Sequence, residues 1–249
     1  GVVVENASII ATGMRAKVHI VDKSETRLKQ LVQIFGDNIN WTDIQTNNMG
    51  QTAGLKSDNT LWVWGRGTKG QLMHTGQNGP DGHRSSPIQV GSYTNITDFC
   101  IGNETILWIN TSGELWAAGN NNVGELAQNN NANFSSPIQI HGGGTTWNYI
   151  GGGWKHGCAV KTDGTLWTWG PNQYGTLGLN DRTARSSPTQ VPGTNWYDVA
   201  GNYWATIATK TDGTLWSWGL ANGEGGLGQN QASISISSPT QIPGTWGTN

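Results

Sequence analysis

A repeated decapeptide is the feature that most constrains how this chain can fold. KTDGTLWTWG begins at residue 161 and KTDGTLWSWG begins at residue 210. The Leu-Trp pair at its centre also stands at residues 61–62 and 115–116, so four copies lie about 50 residues apart. A Gly-x-Leu element and a Ser-Ser-Pro element follow each copy in the same order. A period of this size predicts a repeat architecture, in which each unit buries its apolar surface against its neighbours.

Each repeat contains the patterns of about four short β-strands. HGCAVKT and TLWTWG are rich in β-forming residues and are separated by Asp163-Gly164, a pair that favours a tight hairpin turn. Asp212-Gly213 and Ser112-Gly113 keep the glycine, and Asn59 at the same position tolerates a positive φ. WNYIG predicts a strand before the hairpin, and PTQV predicts a strand after it with proline at its first position. Four strands in about 50 residues are the size of one β-propeller blade.

The repeat resembles that of the regulator of chromosome condensation family. Gly-x-x-His at 153–156, the following AVKTDGTLWTWG, and the later GTLGL and SSPTQV segments carry the resemblance. It covers residues 41–249 and implies an all-β fold, a β-propeller of four-stranded blades whose relatives usually have seven. The expected repeats are residues 41–95, 96–146, 147–195 and 196–245, with 246–249 opening a further one. We therefore expect the four repeats to be a section of a longer protein, to form an unusually small ring, or to be completed into a ring by further chains.

The first 40 residues follow a different pattern and contain none of the 14 tryptophans. KVHIVD predicts a strand, and SETRLKQLVQIFG predicts an amphipathic helix with Ser24 as its N-cap. The stretch is similar to part of the dinucleotide-binding region of bacterial alanine dehydrogenases, which implies a loop glycine at Gly1 and a ribose-binding acid at Asp22. Val4 stands in place of the third loop glycine, and the preceding strand is missing. We therefore expect residues 1–40 to form an α/β remnant or cap that binds no cofactor.

One loop differs from its counterparts in length. Twelve residues separate Leu72 from Ser85, against eight at the same place in each of the next two repeats. Insertions in propellers map to loops on one face, which is often the binding face. We predict that this loop contacts a partner through four side chains, namely His74, Asp81, His83 and Arg84. A metal site built from the two histidines and Asp81 is an alternative for which no spacing fixes the geometry.

His156 is the residue that most invites a catalytic interpretation, because Lys155 and Cys158 are its neighbours. Residues 156 and 158 share one face of any strand, so their proximity carries no information about Cys-His chemistry. The corresponding positions of the other repeats carry other residue types, namely Gln51, Thr105 and Ala205. We therefore predict a structural role for His156.

Two other motifs have plain structural interpretations. Gly-x-Gly-x-x-Gly strings at 65–70 and 223–228 occupy the same point of the repeat, and neither precedes a helix pattern. They predict turns, so no cofactor or metal is expected. Cys100 and Cys158 are predicted to be free buried thiols, although a disulfide is left open.

Composition narrows the classes of function. A formal net charge of −2 and 12% charged residues give no electrostatic basis for binding nucleic acid. No apolar run approaches the length of a membrane helix, so no membrane insertion is expected. We predict a non-enzymatic recognition or scaffold propeller that binds a protein or glycan through its blade loops. Few charges and many Asn, Gly, Ser and Thr favour an extracellular or virion-surface location, bacterial or viral.

Two alternatives belong to other classes. The family resemblance implies guanine-nucleotide exchange on a small GTPase, although no exchange loop or basic patch is found to which that role can be assigned. An enzyme, either related to alanine dehydrogenase or a propeller hydrolase, is the third alternative. No acid–base pair recurs through the repeats to support it.

Overall fold

The computed structural model describes residues 41–73, 82–140, 144, 146–221, 223 and 225–244. They form four antiparallel four-stranded sheets that follow one another along the chain, and we call them blades 1 to 4. Blade 1 holds β1 (Trp41–Thr46), β2 (Gln51–Lys56), β3 (Leu61–Gly65) and β4 (Arg84–Gln89). Blade 2 holds β5 (Ile96–Ile101), β6 (Thr105–Asn110), β7 (Leu115–Gly119) and β8 (Phe134–Gln139). Blade 3 holds β9 (Trp147–Gly152), β10 (Gly157–Lys161), β11 (Leu166–Gly170) and β12 (Arg185–Gln190). Blade 4 holds β13 (Trp196–Gly201), β14 (Ala205–Lys210), β15 (Leu215–Leu220) and β16 (Ser235–Gln241).

The predicted all-β propeller of four-stranded blades is thus confirmed. The first strand of each blade contacts the first strand of the next, so these strands lie innermost. Because neighbouring strands are antiparallel, the first-to-second and third-to-fourth connections of every blade emerge at one end, which we call the loop face. The second-to-third hairpins emerge at the opposite end, the hairpin face. Residues 1–40 and 245–249 lie outside the described residues, and the division of the chain into domains stays a prediction.

The hairpin turns adopt the backbone conformation predicted for them. Gly164 has a φ of 76°, and Asn59 occupies the same position of blade 1 with a φ of 61°. The Gly164 N–H donates to the Lys161 carbonyl at 3.0 Å, while the Lys161 N–H donates to the Thr165 carbonyl at 2.9 Å. This pattern is a three-residue hairpin loop, whose last residue must be left-handed. Glycine or asparagine at that position therefore follows from the turn geometry.

The prediction that proline begins the fourth strand is wrong. β12 begins at Arg185, so Pro188 is its fourth residue. The pairing with β11 shifts between Thr168 and Gly170, which places Ser186 to Pro188 opposite the single residue Trp169. This bulge lies on the outermost strand, where a residue without an N–H breaks no ladder.

The apolar cores lie between blades rather than within them. One buried cluster combines Leu61 and Val63 of blade 1 with Phe99 and Trp108 of blade 2. A second joins blades 2 and 3, and a third joins blades 3 and 4. A single blade therefore cannot shield its own aromatic residues, and side-by-side packing stabilises the fold.

The two short repeat motifs meet at each of these interfaces. A Cβ added to Gly124 would lie 3.0 Å from the Cα of Ser186 in the next blade, and the equivalent distance for Gly175 and Ser237 is 2.6 Å. So close an approach leaves no room for a side chain at the glycine. The Gly-x-Leu element therefore begins with glycine at the point where it packs against the Ser-Ser-Pro element of the next blade. The central residue of Gly-x-Leu adds a hydrogen bond, because the Trp218 indole N–H donates to the Thr176 carbonyl at 2.9 Å.

Candidate functional site

The structure describes two of the four side chains that are predicted to contact a partner. His74 and Asp81 lie outside the described residues. His83 is exposed on the loop face of blade 1, and its Nδ1 accepts a hydrogen bond of 3.4 Å from the Gly67 N–H. The Arg84 guanidinium donates to the His83 carbonyl at 2.8 Å. Among the described residues, no group of three or more His, Cys, Asp or Glu side chains is placed to hold a metal ion.

A cluster of aromatic side chains lies on the loop face of blades 3 and 4. We call Trp154, Tyr174, Tyr203 and Trp204 the aromatic patch. The rings of Trp154 and Tyr203 are stacked, with centroids 4.4 Å apart and planes inclined by 14°. Trp204 packs edge-on against both rings and against Tyr174, with centroid separations of 4.7 to 4.9 Å. Separations of this size are typical of favourable aromatic pairs.

The repeat itself brings these residues together. Trp154 and Tyr203 lie in equivalent connections between the first and second strands of blades 3 and 4. Each follows the residue whose N–H closes the connection, since the Gly153 N–H donates to the His156 carbonyl and the Asn202 N–H donates to the Ala205 carbonyl, both at 2.9 Å. The Trp154 N–H donates to the Asn202 carbonyl at 3.1 Å, which fixes one connection beside the other. Tyr174 comes from the β11–β12 connection, where its carbonyl accepts a hydrogen bond of 2.9 Å from Ser235 of blade 4. The patch thus bridges two blades that the backbone holds in register.

The patch is accessible and differs from the rest of the loop face. Tyr203 is 46% exposed, and the other three rings are half-buried. Blades 1 and 2 carry Met49 and Asn103 at the position of Trp154 and Tyr203, so the rings are confined to one side. The Lys155 ammonium lies 4.5 Å from the Trp154 ring centroid, a cation–π geometry. Tyrosine and tryptophan side chains are enriched at the centres of protein interfaces.

A cavity of about 240 Å³ adjoins the patch near the innermost strands. Trp154 and Tyr203 form one side, and the other lining side chains are mostly asparagines, namely Asn47, Asn48, Asn103 and Asn202. The Asn47 amide donates to the Gly102 carbonyl at 2.6 Å, so part of this lining links blade 1 to blade 2. The cavity therefore offers polar, uncharged groups next to an aromatic surface.

His156 has structural contacts that match its prediction. Its Nε2 lies 3.0 Å from the Thr206 hydroxyl of blade 4, and that hydroxyl donates to the Thr176 carbonyl at 2.9 Å. Complete burial lowers the His156 pKa to about 4, so the ring is neutral at physiological pH. A Cβ on Gly153 would overlap the His156 ring, which is the physical reason for Gly-x-x-His.

The other side chains that could take part in catalysis, two cysteines and two glutamates, are buried or paired within the fold. Cys100 and Cys158 are buried, as predicted, and burial raises the pKa of the Cys158 thiol. Burial likewise raises the pKa of the Glu125 carboxyl, which accepts a hydrogen bond of 2.8 Å from the Val123 N–H. Glu104 pairs with Arg66 at 3.4 Å. The described part of the chain contains no helix with the length and apolar character needed to cross a membrane.

Sequence reasoning missed the aromatic patch. The strings GGGWKHG and GNYWAT do contain its signal, since aligning them on the hairpin places Trp154 and Tyr203 at one repeat position. The contribution of Tyr174 has no such signal, because its connection lies elsewhere in the repeat.

Family comparison identifies the repeat. A family model described as the Regulator of chromosome condensation (RCC1) repeat matches residues 163–208, and a second model with the same description matches residues 149–176. The Ultraviolet-B receptor UVR8 of Arabidopsis thaliana is 32% identical over 132 residues, which are 53% of this chain and 30% of the receptor. Human Protein RCC2 is 29% identical over 127 residues, 51% of this chain and 24% of RCC2.

Solved structures show the same fold. Prp20p from Saccharomyces cerevisiae superposes with a TM-score of 0.71 and 18% identity over 82% of this chain and 51% of Prp20p. Human WBSCR16 gives a TM-score of 0.72 and 16% identity over 94% of this chain and 60% of WBSCR16. The chain thus spans about a third or less of the two sequence relatives named and little more than half of these structures. The similarity of residues 1–40 to alanine dehydrogenases gains no support from these proteins and lies outside the described residues.

Proposed function

The chain is built from repeats of the regulator of chromosome condensation type, and on this premise we propose that it is a non-enzymatic recognition propeller. It binds a protein partner on its loop face, and the aromatic patch is the centre of the contact. The single observation that carries the proposal is the stack of Trp154 on Tyr203 across two blades, with Tyr203 46% exposed.

The physical character of the patch supports a protein partner. Tryptophan and tyrosine supply large contact areas at a low cost in side-chain entropy, and their polar edges still reach hydrogen-bond partners. Lys155 and the asparagine-lined cavity provide a polar rim around the rings. The frame beneath is rigid, because the connections that carry the rings are joined by main-chain hydrogen bonds.

Two structural neighbours also favour a protein partner. The Prp20p structure is described together with its binding properties to Gsp1p and histones. A second structure shows Kap60 bound to yeast RCC1 (Prp20), of which this chain covers 47%. These partners belong to those proteins, and here they support only the class of ligand. A glycan partner and a surface location gain no such support, and the location stays a prediction.

The proposed loop contact extends from the patch around the loop face. His83 and Arg84 lie on that face in blade 1. With His74 and Asp81, they form the peripheral contact that we propose for the inserted loop. Peripheral charges of this kind tune the association rate more than the affinity.

Paired capture experiments test the proposed function. The wild-type chain, a Trp154→Ala/Tyr203→Ala variant and a Tyr197→Ala control are used as baits in extracts of the source cells. Tyr197 is 54% exposed but lies outside the patch, so it controls for loss of an exposed ring. We expect a protein that the wild type and the control retain and the patch variant loses, and purified components should reproduce that order of affinity. If every captured protein binds all three baits equally, the patch is not the recognition surface.

Guanine-nucleotide exchange stays the alternative implied by the family. A small GTPase loaded with a fluorescent guanine nucleotide provides the assay. Release accelerated by the wild-type chain would support exchange, whereas an unchanged release rate is the result that the recognition proposal expects.

A further inference from the structure

Asn103 of blade 2 holds the repeat position that carries aromatic rings in blades 3 and 4. It follows Gly102, whose N–H closes this connection by donating to the Thr105 carbonyl at 3.0 Å. The equivalent closing bonds immediately precede Trp154 and Tyr203. The Asn103 N–H in turn donates to the Trp154 carbonyl at 3.0 Å. Asn103 therefore continues the row of these two residues into blade 2, with an amide in place of a ring.

The Asn103 side chain leaves a buried acceptor unused. Only 8% of the residue is exposed, and its Oδ1 accepts no hydrogen bond from the part of the chain that the structure describes. Asn202 in blade 4 differs, since its Oδ1 accepts from the Trp204 and Ala205 N–H groups at 3.1 and 2.7 Å. A buried acceptor without a donor is unfavourable, and such groups in folded proteins call for an explanation. A donor supplied by a ligand would satisfy this one.

Asn103 belongs to the wall of the cavity beside the aromatic patch. The cavity of about 240 Å³ is lined on one side by Trp154 and Tyr203. All four blades contribute to the wall, through the ends of their first strands and the connections that follow. The cavity thus lies at the innermost strands, away from the outer faces of blades 1 and 4. It offers an aromatic side and an unpaired acceptor to the same ligand.

The electrostatic environment favours an uncharged ligand group. Among the described residues, no charged side chain lines the cavity, so an ion placed there would lose its water without gaining an opposite charge. A cation beside Trp154 would also be repelled by the Lys155 ammonium, which lies 4.5 Å from the centroid of that ring. An anion would face the unpaired Asn103 oxygen. The ligand group that fits is therefore a neutral hydrogen-bond donor.

We infer that this cavity takes a tyrosine side chain of the protein partner, an inference that rests on the proposed function. The tyrosine ring packs beside Trp154 and Tyr203, and its phenol O–H donates to Asn103 Oδ1. Tyrosine joins a large ring to one polar group at its end, so a single side chain meets both parts of the lining. A phenylalanine would leave the acceptor unpaired, and a serine or threonine would leave most of the cavity empty. Tyrosine is also enriched among the residues that dominate interface energies.

Selection from a displayed library of random peptides tests the inference on the whole 249-residue chain. We expect the peptides that bind the wild type to share a tyrosine at one position. Replacing that tyrosine by phenylalanine should weaken binding to the wild type about tenfold or more, because the acceptor is left without its donor. The same replacement should not weaken binding to Asn103→Leu, where a side chain of similar size carries no acceptor.

Asn48→Leu is the matched control. Asn48 lines the same cavity but is exposed, so its replacement removes an amide without removing the buried acceptor. The penalty for phenylalanine in the peptide should persist in this variant. Urea denaturation shows that both leucine variants remain folded, and Asn103→Leu should be at least as stable as the wild type, because it removes an unsatisfied group.

The outcomes separate this inference from the proposed function. Peptides that lose binding to Trp154→Ala/Tyr203→Ala but share no tyrosine would overturn the inference and leave the recognition surface in place. An equal phenylalanine penalty in the wild type and Asn103→Leu would also overturn it, as would a selection that yields no peptide dependent on Asn103. Peptides that bind the patch variant as well as the wild type would count against the proposed function itself. A shared glutamine or asparagine in place of tyrosine would show that the cavity takes an amide and would reject the side chain inferred.

Discussion

His156 Nε2 and Thr206 Oγ1 lie 3.0 Å apart across the interface between blades 3 and 4. The Thr206 hydroxyl donates its proton to the Thr176 carbonyl, so the hydrogen-bond network assigns the imidazole proton to Nε2. A neutral ring is therefore part of the interface. Protonation would add a buried charge at a site with no described acidic partner, because burial alone accounts for the lowered pKa.

Stability should depend on pH through this histidine. Its pKa is about 4 in the folded state and 6.5 as the reference for the unfolded state. Because the unfolded state binds the proton more tightly, stability is full above 6.5 and falls as pH falls from 6.5 to 4, by up to about 3 kcal/mol. The raised pKa of Glu125 acts with the opposite sign above its reference value of 4.5. Urea denaturation from pH 7 to 4.5 should show a fall that is reduced in His156→Gln, and equal pH slopes in both proteins would contradict this account.

Gly157 should tolerate no side chain. A Cβ at this position would overlap the Trp169 indole, which is fully buried. We expect Gly157→Ala to lower the free energy of unfolding by about 2–3 kcal/mol, since the packed ring cannot move aside. Gly226→Ala, where a Cβ meets nothing within 4 Å, is the matched control and should change stability by less than about 0.5 kcal/mol. Similar midpoints for the two variants in chemical denaturation would be evidence against the packing described.

The interface indoles should matter more for stability than an exposed ring. Trp169→Phe removes the donor to the Glu125 carbonyl and leaves a smaller ring in a closed space, so we expect a loss of about 2–3 kcal/mol. Tyr197→Phe, on a ring 54% exposed, should have almost no effect. Equilibrium unfolding of both variants checks the difference, and a Trp169→Phe protein as stable as the wild type would argue against a buried donor.

The thiols should be inert in the folded protein. Both cysteines are buried, and burial raises the pKa of Cys158, which suppresses the reactive thiolate. We expect no reaction with Ellman's reagent under native conditions and two thiols per chain after unfolding in guanidinium chloride. Rapid native labelling of either cysteine would show that its blade interface opens.

A threonine in the hairpin should control the ionisation of its neighbouring aspartate. The Thr165 hydroxyl donates to Asp163 at 2.7 Å and accepts from the Trp167 indole at 2.9 Å, and the bond to Asp163 is the largest cause of that carboxyl's lowered pKa. In Thr165→Val the Asp163 pKa should rise. The Asp212 pKa, held low by Thr214 in blade 4, is the internal reference and should not change. Carbon-detected NMR titration of the side-chain carboxyls measures both, and an unmoved Asp163 would contradict the assignment.

The sequence was most informative where a local backbone requirement determines the type of a single residue. Gly164 and Asn59 predict a turn position with left-handed backbone, and the Leu-Trp pairs predict β-strands, because these requirements are local. The start of β12 was missed because Ser186 to Pro188 form a bulge whose place depends on the partner strand. Trp154 and Tyr203 lie far apart in the chain, and their stacking exists only once two blades are in register. The partner-binding loop was chosen for its length, a criterion that cannot detect a surface made from short connections.

Proton exchange at the individual indole N–H groups tests the central structural claim most directly, which is that blades 3 and 4 each insert a tryptophan whose indole N–H donates to a main-chain carbonyl of the preceding blade. Single Trp→Phe variants assign the indole resonances in ¹H–¹⁵N NMR spectra. The Trp169 and Trp218 protons, which are fully buried and hydrogen-bonded, should exchange far more slowly than that of the half-buried Trp64. Exchange as fast at Trp169 and Trp218 as at Trp64 would contradict the account.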